Sequence, residues 1–106
     1  MKVKFKNEGS NIIVSFEDLI NRQLDLSHVT DLRNRFKSTL AKKSKIITLD
    51  FGAVDYIDSA IIGFIVDSFN LIRNNEGELK IINVNRNVFE IFEMINLTKF
   101  LDIRKR

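Results

Sequence analysis

The stretch that decides the fold is "KIITLDFGAVDYIDSAIIGFI", residues 45–65. Its beginning, "KIITLDF", is a near-continuous apolar run rich in β-branched residues, which is typical of a central strand covered on both faces. The polar pair Asp58 and Ser59 then precedes a second apolar run. Asp and Ser are favoured at helix starts because a side-chain oxygen accepts a hydrogen bond from an unpaired amide of the first turn. We therefore predict a buried strand, then a helix from about Ser59 to Asn74.

The flanking segments carry further periodic patterns. "KVKFK" near the start alternates apolar residues with lysines, as a charge-protected edge strand does. "NIIVSF" follows a turn signal at residues 7–11 and completes a hairpin. Apolar residues at helical spacing predict a first helix capped by Ser27 and a third helix opened by a capping box of Asn87 and Glu90. "ELKIINV" is a strand between the second and third helices, and a short last strand is expected around residues 100–103.

The predicted order is β-β-α-β-α-β-α, which is the pattern of an α/β fold. Strands joined through helices are parallel and connected by right-handed crossovers. We expect one domain over residues 1–106, with a mixed, mostly parallel sheet of four or five strands packed with helices. A chain of 106 residues is long enough to bury a real core.

Composition excludes several classes of function. The chain has no cysteine and one histidine, so thiolate chemistry, disulfides and a histidine metal cluster are excluded. The net charge is only +3, without a basic stripe interleaved with aromatics, so nucleic-acid binding is not expected. No phosphate-binding glycine motif occurs, and we expect no cofactor. The charged start and the shortness of the longest apolar run indicate a cytoplasmic protein without membrane insertion.

An enzymatic alternative rests on a single pair of residues. Ser59 as a nucleophile would need a general base, and His28 at the start of the first helix is the one histidine that could serve. No G-x-S-x-G elbow surrounds Ser59. We therefore expect a protein that is not an enzyme, and a small serine hydrolase using Ser59 and His28 is the alternative from another class.

The order of "IITLDF", "VDYIDSAIIGFI" and "GELKIINVNRNVFEIFEMINLTKFLDI" over roughly residues 12–102 resembles the STAS domain of anti-sigma-factor antagonists. The usual STAS pattern after the apolar strand is Asp-Ser-Ser/Thr-Gly-Leu-Gly. The resemblance implies that Ser59 is phosphorylated by a partner that is both a serine kinase of the ATPase fold and an anti-sigma factor. It also implies a phosphatase that reverses the modification. "QLD" at residues 23–25 is similar to the Gly-Glu-Leu-Asp segment of the family, so Asp25 is implied near the phosphoacceptor, with Asp58 beside it.

Some positions depart from this pattern. Ala60 replaces the second hydroxyl residue, and Ile61 replaces the first glycine. In this respect the chain is similar to the small scaffold STAS proteins of stressosome-type complexes. Subunits of lipid-transport complexes also carry the fold. A constitutive scaffold or such a subunit, without a phosphorylation switch, is therefore the alternative within the same fold.

The second helix offers a candidate partner surface. One apolar stripe would dock the helix on the sheet, and it comprises Ile62, Ile65, Phe69 and Ile72. A second stripe on the opposite side starts next to Ser59 and is predicted to bind the partner; it comprises Ala60, Phe64, Asp67 and Leu71. The competing interpretation is that Phe64 and Leu71 pack under a neighbouring helix. The resulting hypothesis is a partner-switching regulator of transcription, controlled by phosphorylation at Ser59.

Overall fold

A computed structural model describes residues 1–40 and 46–106 as an α/β domain. The strands are β1 (Lys2–Glu8), β2 (Asn11–Glu17), β3 (Gln23–Leu24), β4 (Ile46–Asp50), β5 (Tyr56–Ile57), β6 (Glu78–Val84) and β7 (Asp102–Lys105). The helices are α1 (Leu26–Leu40), α2 (Ser59–Asn74) and α3 (Arg86–Met94), and short 3-10 turns occupy Ile20–Arg22 and Leu97–Lys99.

The main sheet has five strands in the order β1-β2-β4-β6-β7. The β1 and β2 strands form the antiparallel hairpin, and every other neighbouring pair is parallel. Consecutive residues of β4 are buried, as expected for a central strand, whereas the lysines of the edge strand β1 are exposed. The predicted mixed, mostly parallel sheet is therefore confirmed, as are the predicted bounds of α2.

A second, two-stranded sheet was not expected. Its strands β3 and β5 pair in parallel, with Gln23 opposite Tyr56 and Leu24 opposite Ile57. Two residues are too few to show a period, so the sequence carries no pattern for either strand. This small sheet nevertheless fixes where α1 and α2 begin, because each of these helices follows one of its strands almost immediately.

The predicted caps of two helices are wrong. Ser27 lies inside α1, and its backbone N–H donates to the Asp25 carboxylate at 3.0 Å, so the residue leaving β3 is the acceptor. Asn87 lies inside α3, because Asn85 accepts the N–H of Val88 at 2.8 Å and follows the end of β6 directly. In both cases a polar residue two positions earlier, at the strand end, satisfies the first amides of the helix.

The last strand also lies further along than predicted. It covers Asp102–Lys105 rather than residues 100–103. The reason is that the turn Leu97–Lys99 occupies the chain before it, and Leu101 is buried in the core just ahead of the strand.

The buried face of α2 is broader than one stripe. Its buried residues are Ile61, Phe64, Ile65, Ser68 and Ile72, whereas Ile62 and Phe69 of the predicted docking stripe are only half-buried. The physical reason is that α2 packs on two elements, since it contacts both β6 of the sheet and the neighbouring helix α1.

Candidate functional site

The helix starts converge on one edge of the fold. Helices α1, α2 and α3 follow the strands β3, β5 and β6, respectively, and the strands β3 and β5 pair in parallel. Asp25 follows the last residue of β3, and Asp58 follows the last residue of β5, so the pairing brings these two positions of the chain side by side. Helix N-termini carry partial positive charge, which favours anions at this edge.

Asp58 joins the first two helices. Its Oδ1 accepts the N–H of Ile61 at 3.0 Å and thereby caps α2. Its Oδ2 accepts the N–H of Leu26, the first residue of α1, at 2.9 Å. One carboxylate therefore satisfies unpaired amides of two helices at once, which the local sequence around Asp58 does not reveal.

Replacing Asp58 by alanine is expected to lower the free energy of unfolding by about 1–3 kcal/mol, since a single N-cap is typically worth about 1 kcal/mol. The stability of Asp58→Asn should lie between those of the wild type and Asp58→Ala, because an amide has one acceptor oxygen where the carboxylate has two. Urea denaturation measures both. Asp67→Ala is the control, because it removes an exposed aspartate of α2 that pairs with Arg33 at 2.9 Å and should cost less than about 1 kcal/mol. A loss for Asp58→Ala no larger than that of the control would contradict the shared cap.

Ser59 is the first residue of α2 and is exposed at the surface. Within residues 1–40 and 46–106, its hydroxyl has no hydrogen-bond partner, and the cap of the helix is supplied by Asp58 instead. The residue is accessible at the surface of the helix start. Its position at a helix N-terminus is one where an added anion is stabilised by the helix dipole.

Asp25 is held by its own surroundings. Its carboxylate accepts hydrogen bonds from the hydroxyl and the backbone N–H of Ser27 and from Nε2 of Gln23 at 3.2 Å. The Ser27 hydroxyl is the main reason that the pKa of Asp25 lies below its ordinary value, with the Ser27 amide, His28 and Gln23 adding to the effect. Asp25 is therefore ionised at neutral pH, at the same edge as Asp58.

His28 is engaged with Asp25 rather than with Ser59. The Nδ1 of His28 accepts the backbone N–H of Asp25 at 3.0 Å. In the part of the chain that the structure describes, no hydrogen bond joins His28 to Ser59. A serine hydrolase needs its nucleophile hydrogen-bonded to a general base, and the described residues do not bring Ser59 and His28 into such contact.

Two arginines clamp the loop between β4 and β5. Arg22 donates from Nε to the Asp55 carboxylate at 2.7 Å and from Nη2 to the carbonyl of Gly52 at 2.7 Å. Arg106 donates to the same carboxylate at 2.9 Å and to three carbonyls of the loop, those of residues 51, 52 and 54. The Asn85 side chain donates to the backbone carbonyl of Asp55 at 3.0 Å. The segment that leads into Ser59 is therefore fixed from three other parts of the chain.

This clamp has a consequence for pH. Arg22, followed by Arg106, holds the pKa of Asp55 below its ordinary value of 3.8. Because the pKa of Asp55 is depressed in the folded state, its ionised carboxylate stabilises the fold. This contribution is fully present above about pH 5 and is lost as the pH falls through the folded-state pKa. We expect the free energy of unfolding to fall as the pH is lowered from about 5 to about 3, and to fall less steeply in Asp55→Asn. Urea titrations over this range measure the two slopes, and equal slopes would contradict the role of the clamp.

The predicted partner stripe on α2 is not an exposed surface. Phe64 is 2% exposed and packs edge-to-face on Phe36 of α1, with 5.0 Å between ring centroids. The assignment of Phe64 to an exposed partner-binding face is therefore wrong, and its packing under a neighbouring helix is what the structure has. Asp67 is exposed and paired with Arg33 of α1, Ala60 is half-buried, and only Leu71 of the apolar members is exposed.

Other apolar side chains are exposed near the start of α2. Leu26 is 68% exposed and Tyr56 is 59% exposed, and Ile20 shortly before β3 is also exposed. Leu26 donates its amide to Asp58, and Tyr56 lies two residues before that carboxylate, so both residues are close to the start of α2. We call Leu26 and Tyr56 the edge patch. Sequence reasoning missed it because β3 and β5 are too short to show which side chains face outward.

Other kinds of site find no support in residues 1–40 and 46–106. These residues contain no group of three or more His, Cys, Asp or Glu that could hold a metal ion. They also contain no helix that is both long enough and apolar enough to cross a membrane.

The chain matches a known family over most of its length. The pattern of the STAS domain covers residues 11–106, from the start of β2 through β7. The chain belongs to the STAS domain family. The family resemblance carried by the Asp58-Ser59 stretch is thereby confirmed.

Similar proteins carry related descriptions. The anti-sigma-B factor antagonist of Listeria monocytogenes serovar 1/2a is 27% identical over 63 residues, which are 59% of this chain and 55% of that protein. An anti-sigma-factor antagonist (STAS) domain protein from Planctomyces limnophilus has the same fold, with a TM-score of 0.86 at 14% identity over 98% of this chain and 90% of that one. The phosphorylated form of the Bacillus cell fate determinant SpoIIAA has a TM-score of 0.73 at 12% identity, covering 96% of this chain and 90% of its own. The matched segment spans about half the length of the curated relative.

The departure of this STAS domain at Ile61 changes the core rather than the cap. Ile61 stands where the usual STAS pattern has its first glycine, and its side chain is fully buried. Its backbone N–H still donates to Asp58. The start of α2, with Ser59 at its surface, is therefore formed without the glycine, and the isoleucine adds apolar contacts beneath it.

Proposed function

We propose that this STAS domain is an anti-sigma factor antagonist whose binding to its partner is switched by phosphorylation of Ser59. The partner is an anti-sigma factor that is also a serine kinase of the ATPase fold, and a phosphatase restores the unmodified serine. The observation that carries the proposal is the exposed position of Ser59 at the start of α2, beside the edge patch. The names of the Listeria, Planctomyces and Bacillus proteins support the choice of partner class.

The fold tolerates the modification. A phosphoryl group on Ser59 adds about −1.5 to −2 charges at a helix N-terminus, where anions are favoured by about 0.3–1 kcal/mol. Asp58 keeps its hydrogen bonds to Ile61 and Leu26, because they leave from its own carboxylate and do not involve the Ser59 hydroxyl. Phosphorylation therefore changes the surface while leaving the helix start in place.

The partner does not tolerate it. A surface that packs on Leu26 and Tyr56 would have to bring the phosphate out of water next to the carboxylates of Asp58 and Asp25. Each penalty of about 1.4 kcal/mol weakens binding tenfold, so a modest desolvation cost reverses the equilibrium. The two aspartates contribute by keeping α1 and α2 in place and by surrounding Ser59 with negative charge.

The proposal is tested by using the protein as bait in an extract of its native cell. The wild-type chain is expected to retain a serine kinase of the ATPase fold. Ser59→Asp is expected to retain at least about tenfold less, because the new carboxylate imitates part of the phosphate charge. Ser38→Asp is the matched control, since Ser38 is exposed near the other end of α1 and should leave retention unchanged. Equal retention by Ser59→Asp and wild type, or retention of no such kinase, would contradict the proposal.

A further inference from the structure

A second apolar surface lies at the other end of α2. Two adjoining grooves, of about 320 and 330 Å³, share Phe69, Arg73 and Phe100 in their walls. Phe100 is 65% exposed, and Met94 and Ile95 at the end of α3 are also exposed. At about 1.5 Å per residue along α2, Arg73 lies roughly 20 Å from the helix start. This surface, which we call the distal face, is therefore separate from the Ser59 site.

The distal face carries charges of both signs that have no partner within residues 1–40 and 46–106. The guanidinium of Arg73 lies 5.6 Å from the ring centroid of Phe69 and forms no ion pair there. Lys99 lines the groove of about 330 Å³ and has no carboxylate partner among the described residues. Glu78, the first residue of β6, lines that groove as well and pairs with no cation of the described residues. Exposed apolar side chains are thus accompanied by unpaired cations and an unpaired anion.

Such a surface is complementary to itself. In a two-fold dimer the same patch meets on both subunits, so each copy must supply both halves of every contact. The distal face supplies an exposed side chain in Phe100, grooves beside it, and charges of both signs in Arg73 and Glu78. Contiguous exposed apolar side chains with a polar rim are typical of protein interaction sites.

We propose that the distal face binds the distal face of a second copy of this chain, in a two-fold dimer. Phe100 of each copy enters the groove of the other, and Glu78 of each copy pairs with Arg73 of the other. Because the Ser59 edge lies at the opposite end of α2, the dimer leaves both phosphorylation sites open. The inference goes beyond the proposed switch and does not require Ser59 to be modified.

Sedimentation over a concentration series, with the full chain, tests the dimer. The wild-type mass is expected to rise from 12.3 kDa towards twice that value. Arg73→Glu and Glu78→Arg should each remain monomeric, because each places like charges opposite one another. An equal mixture of the two variants should dimerise again, since one copy then carries carboxylates at both positions and the other carries guanidiniums at both. Circular dichroism shows that each variant is folded.

Apolar variants complete the test. Phe100→Asp is expected to be monomeric, whereas Leu71→Asp should dimerise like wild type, because Leu71 is exposed on α2 but lies outside both grooves. A wild-type mass of 12.3 kDa at every concentration would overturn the proposal. So would a dimer that persists in both charge variants, or a mixture of these variants that stays monomeric.

Discussion

Replacing Phe64 by alanine is expected to lower the free energy of unfolding by about 3–5 kcal/mol, the cost typical of removing a buried phenylalanine. Phe64 is 2% exposed and contacts Phe36 edge-to-face, so the change removes both apolar burial and an aromatic pair. Arg33 of α1 also lies over the ring, 5.9 Å from its centroid. Phe64→Glu should unfold the protein, because a buried unpaired charge has to be neutralised or expelled.

Urea denaturation of Phe64→Ala and Leu71→Ala measures this difference. Leu71 is the control because it lies on the same helix and is exposed, so its replacement should change stability by less than about 0.5 kcal/mol. A double-mutant cycle with Phe36→Ala is expected to show a coupling of about 0.5–1.5 kcal/mol. A Phe64→Ala protein with wild-type stability but without partner binding would contradict this expectation and would support the exposed partner-binding stripe predicted from the sequence.

Replacing both Leu26 and Tyr56 by alanine is expected to weaken partner binding by about 30-fold or more, equivalent to about 2 kcal/mol. Both side chains are exposed next to the start of α2, and buried aromatic or aliphatic anchors dominate the energy of many interfaces. The fold should be unaffected, because the Leu26 contact to Asp58 is made by its backbone N–H.

A titration of the recovered kinase with this double variant checks the edge patch. Leu71→Ala is again the control, since it tests the stripe that the sequence indicated on α2. Weakened binding for Leu71→Ala, together with wild-type binding for the Leu26 and Tyr56 variant, would contradict the edge patch. The partner would then bind to the outer face of α2.

Much of the fold could be predicted because its main elements are long enough to show a period. The apolar run of β4 and the alternation in β1 indicated the centre and the edge of the sheet, and α2 was predicted with its observed bounds. The caps of α1 and α3 were misplaced because several polar residues lie together at each helix start. Which of them accepts hydrogen bonds from the first backbone N–H groups of the helix depends on where the preceding strand ends.

The site was less predictable because it is built by contacts between distant parts of the chain. Ser59 and Asp58 could be identified from the resemblance, but the second hydrogen bond of Asp58 reaches back to Leu26. The clamp on Asp55 combines Arg22 and Arg106, which no local pattern connects. For Phe64, helical spacing shows which residues share a stripe, but not how many neighbouring elements cover the helix.

The position of the phosphate tests the central claim most directly. The full chain is incubated with ATP and the kinase recovered from the native cell, and the modified residue is identified by peptide mass spectrometry. We expect one phosphoryl group, on Ser59, and none on the Ser59→Ala protein. Phosphate found only elsewhere, for instance on Ser27 or Thr30 of α1, or phosphate that persists in Ser59→Ala, would contradict it.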